Sequence, residues 1–120
     1  MKRPSHKEIY QKITQAGKTV AKGKLAVINA PAVAADALEL GYDIEELADV
    51  LLDLLRVVRP HDYVGTSPPQ TSYEGEIFQM DLYAFKCNCP RFGQEVYFKF
   101  TMKNDTFWLV SLHLDRPEKR

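Results

Sequence analysis

The run from Phe92 to His113 constrains this chain more than any other part of it. Over 95–102 the apolar residues Val96, Phe98, Phe100 and Met102 alternate with polar neighbours; over 106–114 Trp108, Val110, Leu112 and Leu114 hold alternate positions. A period of two belongs to β-strands, and the short Lys103-Asn104-Asp105 turn between the runs makes them a hairpin. Pairing the two apolar sets gives one wholly hydrophobic face, which pins the register because a one-residue slip would bury the polar set. That register places Glu95, Tyr97, Lys99 and Thr101 beside Phe107, Leu109, Ser111 and His113. A face carrying a phenol, an amine and an imidazole is odd for structure alone.

A third strand is expected just upstream. From Glu76 onward Phe78, Met80, Leu82 and Ala84 take one parity, and Ile77, Gln79, Asp81, Tyr83 and Phe85 take the other. If the three strands are neighbours, Gln79 joins Tyr97, Lys99, Ser111 and His113 on one face. Asn88, Pro90 and Gly93 mark the turn that follows.

Earlier residues read as helices. Ile9, Tyr10 and Ile13 suit an amphipathic helix over 6–15, with Ser5 and Glu8 as a capping box and Gly17 as its end. Lys18 to Lys24 is then a basic connector or short strand, and 24–28 can add a strand. A second helix starts near Pro31 and stops at Gly41. A third begins at Asp43 with Glu46, and its stripe of Ile44, Leu47, Leu51, Leu54, Leu55 and Val58 faces away from Glu45, Asp49, Asp53 and Arg56. Pro60 ends it. The long 59–73 loop holds His61, Asp62, Tyr63 and Pro68-Pro69, and loops of this length are often functional. Helices followed by a three-stranded meander indicate an α+β fold with N-terminal helices packed on an antiparallel sheet.

At 120 residues the chain is expected to form a single domain over 1–120, with flexible ends at about 1–5 and 115–120. No apolar run approaches the roughly 20 residues of a membrane helix, and the basic start lacks a signal-peptide core, so a cytoplasmic protein is expected. The formal net charge of zero hides segregation: residues 1–24 hold seven Lys/Arg and one Glu, whereas 36–62 hold eight Asp/Glu and two Arg. A basic surface is therefore compatible with a neutral chain, although solvated faces explain the same pattern. Cys87 and Cys89 are too few for a zinc site and read as free thiols near a strand end; no metal or other cofactor is expected.

Metal-free RNA cleavage needs a base for a 2′-hydroxyl, positive charge near the phosphate, and an acid for the 5′-oxygen. Histidine serves as base or acid near neutral pH, which makes His113 a candidate. Lys99 can stabilise charge on the phosphorane-like transition state. Tyr97 can hydrogen-bond a phosphate, donate a proton or stack a base, and Gln79 can orient the substrate. Arg91 and Lys103 can attract phosphates from the flanking turns; Ser111, His61 and Tyr63 are further candidates for contact with RNA. Each has a structural alternative: Tyr97 as a cap on the core edge, His113 as an ordinary edge histidine, Gln79 as solvent-side alternation.

In order and spacing, a set of segments resembles the MqsR toxins of the RelE-like bacterial toxin superfamily. They are Ala37-Leu38-Glu39-Leu40-Gly41-Tyr42-Asp43, Asp62-Tyr63, Asp81-Leu82-Tyr83, Gly93-Gln94-Glu95-Val96-Tyr97-Phe98-Lys99 and Val110-Ser111. The resemblance implies a RelE-like fold and a metal-free endoribonuclease that cleaves mRNA to inhibit translation. It also implies a cognate antitoxin as partner, with the ribosome as a candidate partner. The family's strand tyrosine falls on Tyr97, its strand glutamine on Gln79, and its C-terminal lysine on His113. Its loop lysine falls on Val64, so that cation is absent unless His61 or Lys99 replaces it. A non-catalytic member of the fold, binding protein or RNA, is the alternative.

Overall fold

A capping box starts the first helix, α1 (His6–Ala21): the Glu8 N–H donates to the Ser5 hydroxyl at 3.1 Å, and the Ser5 N–H donates to the Glu8 carboxylate at 2.8 Å. The computed structural model describes residues 5–66 and 69–114. Most of the ends expected to be flexible, and Pro68 of the long loop, therefore lie outside the described residues. The helix runs past Gly17, its expected end, and takes in most of the expected connector. Glycine costs about 1 kcal/mol inside a helix relative to alanine, while burying one valine stabilises by about 1.5–3 kcal/mol. The buried stripe Ile9, Ile13, Ala16 and Val20 continues across Gly17, so burial wins. Gly23, at φ +79°, turns the chain instead.

The expected early strand is present as β1 (Leu25–Val27). In α2 (Ala30–Leu40) the Asn29 side chain caps the start, and Gly41 at φ +84° ends it with the Tyr42 N–H donating to the Ala37 carbonyl. Asp43 caps a 3₁₀ turn over Ile44–Glu46 rather than the α-helix itself. The helix α3 (Leu47–Val57) buries Leu47, Val50, Leu51, Leu54 and Leu55, while Ile44, expected on that stripe, stays exposed.

Three antiparallel strands, β2 (Tyr83–Cys89), β3 (Gln94–Lys103) and β4 (Thr106–Leu114), form the expected meander, and β1 joins its β4 edge in parallel. The architecture is α+β, with the three helices and one face of this mixed sheet sharing a core. Its sheet contribution is Phe85, Cys87, Cys89, Val96, Phe98, Phe100, Phe107, Leu109 and Leu112. Both cysteines are free and buried there, and burial, with Asp62, Cys89 and Glu95 nearby, pushes the Cys87 thiol up to about 12.

Two expectations about the sheet are overturned. First, the β3–β4 register slips between Lys99 and Phe100: Lys99 faces Ser111, but Phe100 faces Leu109, leaving Val110 as a bulge residue. Phe107 and Leu109 therefore fill the core, while Trp108 and Val110, assigned to the core face by alternation, pack on the opposite face with Ile28, Ile77, Leu82 and Met80. Second, β2 starts only at Tyr83. The segment expected as its first half contains a 3₁₀ turn at Gly75–Ile77 and Gln79 at φ +65°, folded back so that the Gln79 N–H donates to the Ser72 carbonyl at 2.8 Å. Burial of Ile77 and Leu82 against Trp108, not strand pairing, places these apolar residues.

Candidate functional site

Cross-strand partners project to the same side of a sheet, so the pairing register names the members of the outer face. One row runs Lys86, Tyr97, His113 and the next runs Ala84, Lys99, Ser111. The core residues Val96, Phe98 and Leu112 alternate with the polar ones and hold them outward. Tyr97, Lys99, Ser111 and His113, grouped by the hairpin pattern, thus do share one face, and all four are half-buried.

His113 is the best defined of them. Its ring stacks on Tyr97 with centroids 5.0 Å apart and planes inclined by 20°. Its Nδ1 lies 2.8 Å from the Leu114 carbonyl oxygen. A carbonyl only accepts, so the bond requires the proton on Nδ1 and leaves Nε2 of the neutral ring with a lone pair. Burial raises the Tyr97 phenol above its ordinary range, keeping it a proton donor through neutral pH.

The remaining expected site residues stand elsewhere. Gln79 is not on this face, because it lies outside β2 in the folded-back segment. The error has a physical source: the core parity of β2 is the odd one, Phe85, Cys87 and Cys89, opposite to that inferred from Phe78 to Ala84. The missed residue is Lys86. Reading the cysteines as small hydrophobes alternating with Lys86 and Asn88 would have exposed it.

Arg91 holds the β2–β3 turn against α3, its guanidinium donating to Asp53 at 2.7 Å and approaching Glu46 at 3.5 Å. Lys103 donates to the Glu76 carbonyl, tying the hairpin end to the 75–77 turn. Tyr63 packs its ring edge-on against Phe85 with centroids 5.7 Å apart, and its hydroxyl donates to the Thr66 carbonyl, which makes it a strut of the loop. His61 is exposed and pairs with Asp62 at 3.5 Å. Val64 donates its N–H to the Ala84 carbonyl at the sheet edge, with an exposed side chain.

Among the described residues no group of three or more His, Cys, Asp or Glu is placed to hold a metal ion. No described helix is long and apolar enough to cross a membrane. No family model matches the chain, and no curated protein matches it significantly.

Proposed function

We propose that this chain is a metal-free endoribonuclease, an mRNA interferase of the MqsR-like toxin kind, acting in the cytoplasm to inhibit translation. A cognate antitoxin is its proposed inhibitor, and the ribosome a candidate partner. The observation that carries the reading is His113, its Nδ1 turned to the Leu114 carbonyl and its ring stacked on Tyr97 beside Lys99. In the proposed reaction His113 Nε2 takes the proton of an RNA 2′-hydroxyl. The 2′-oxygen bonds to the adjacent phosphorus while the bond from phosphorus to the 5′-oxygen breaks. Lys99 stabilises the added negative charge. The Tyr97 hydroxyl protonates the departing 5′-oxygen, and the His113 imidazolium restores that proton through solvent. The products are a 2′,3′-cyclic phosphate and a 5′-hydroxyl. Ser111, opposite Lys99, serves as a hydrogen-bonding contact.

Inducible expression with mapping of transcript 5′ ends tests this. Growth arrest with new ends at a recurrent short sequence is expected, and His113→Ala or Tyr97→Phe should abolish both while the protein stays folded. Full toxicity of both variants at equal expression would sink the assignment. A non-catalytic RelE-like module that binds protein or RNA is the second reading. It is favoured by Val64 standing where the resemblance places a lysine, and by Arg91 and Lys103 being engaged within the protein. Arrest without new transcript ends would decide for it.

A further inference from the structure

Lys86 is set between Phe85 and Cys87, both buried in the core, so strand alternation turns its side chain to the outer face. There it lies directly opposite Tyr97, which lies directly opposite His113. Directly opposed residues have Cβ atoms about 4.5–5.5 Å apart, so the row of ammonium, phenol and imidazole spans about 10 Å. Lys99 stands in the adjacent row, diagonal to Lys86 across Tyr97. Two lysines on different strands thus flank Tyr97, and among the described residues Glu95, opposite Asn88, is the acid at the end of the strip.

We propose that Lys86 is a substrate-positioning residue that grips a phosphate flanking the scissile one on a single-stranded RNA. This rests on the nuclease reading for the place of the scissile group. A base must come within hydrogen-bond reach of the 2′-hydroxyl it activates, which puts the reacting phosphate beside His113, Tyr97 and Lys99. Lys86 lies two strands from His113, which makes it the member of this row farthest from the base and well placed for the neighbouring phosphate. The bound strand therefore crosses the sheet from β4 toward β2. Lys86 governs affinity, and His113 governs turnover.

The test measures binding of a fluorescent, mixed-sequence single-stranded RNA oligonucleotide to the full chain carrying His113→Ala, so that cleavage does not interfere. Adding Lys86→Met should weaken binding about tenfold and make the slope of log affinity against log salt shallower by about 0.7, the value for one lost single-strand phosphate contact. Lys86→Arg should restore both, and in the cleaving protein Lys86→Met should raise KM far more than it lowers kcat. Circular dichroism and melting temperature check that the variants are folded. Unchanged affinity and salt slope in a folded Lys86→Met variant would overturn the proposal while leaving the nuclease reading standing. A His113→Ala protein that binds no RNA at low salt would overturn both. RNA binding that depends on Lys86 without cleavage by the unaltered chain would overturn the nuclease reading and, with it, the placement beside a scissile group, leaving Lys86 as a phosphate contact of a binding module.

Discussion

Arg91 should be a strut rather than an RNA contact, and the size of its contribution follows from its surroundings. Its guanidinium lies 2.7 Å from an Asp53 carboxylate oxygen, with the two side chains 30% and 35% exposed. At that separation the Coulomb attraction is about 1.5–3 kcal/mol for effective dielectric constants of about 80–40. Ordering two flexible side chains offsets much of it, at up to about 2 kcal/mol for an arginine. Asp53 is also held by Arg56 at 3.0 Å, which spares part of that ordering loss. The net should be about 1 kcal/mol, the upper end for partly exposed pairs. A double-mutant cycle of Arg91→Ala and Asp53→Ala, followed by urea denaturation, should return that coupling energy. The Arg91→Ala melting temperature should fall by about 3–6 °C. Glu46, 3.5 Å away and half-exposed, should couple by only a few tenths of a kcal/mol. RNA affinity and its salt slope should stay unchanged in Arg91→Ala. Additive single substitutions together with a shallower salt slope would refute the reasoning and return Arg91 to the RNA surface.

Two further substitutions probe the loop and the core. A Cβ on Gly65 would lie 2.5 Å from the Tyr63 hydroxyl and 2.7 Å from its ring, displacing both the bond to Thr66 and the edge contact with Phe85. Gly65→Ala should therefore cost about 2 kcal/mol in chemical denaturation, the sum of a hydrogen bond and an aromatic pair; a loss below about 0.5 kcal/mol would show that the ring swings aside freely. The Tyr42 hydroxyl is buried with no partner among the described residues, so Tyr42→Phe should stabilise by about 1 kcal/mol. Burial, with Asp36 nearby, raises the Tyr42 phenol from 10.0 to about 12. The unfolded chain then binds fewer protons than the folded one across that window, so this contribution is intact below pH 10 and lost as pH rises toward 12. Tyr42→Phe should show a smaller loss of stability over the same range in pH-dependent denaturation, and an equal or larger loss would contradict the assignment.

Local pattern carried a good part of the fold. The α3 stripe was legible because helical burial repeats within a few turns, and each of its leucines packs where the spacing put it. Ser5 with Glu8 and Gly41 marked helix ends because capping is chemistry between residues three to five apart. Gly17 misled because its helix cost is local while the burial of Val20 that outweighs it is not. Near the hairpin's open end, alternation alone grouped Tyr97 with His113 and Lys99 with Ser111.

Tertiary structure decided where that alternation breaks and what lies beside it. Nothing within β4 marks Val110 as the residue to bulge; packing of Phe107 and Leu109 against the helices and of Trp108 against Ile77 and Leu82 places the slip there. The phase of β2 depends likewise on Phe85 and Cys87 meeting Phe98 and Val96 across the sheet, which brings Lys86 to Tyr97 and leaves Gln79 outside. Asp53 claims Arg91 from 38 residues away. Sequence alone therefore determined the helices and the polar side of one hairpin, where the deciding contacts are close along the chain. Only the folded chain settled which strand face meets which, because register is a property of two strands together and no single strand encodes it.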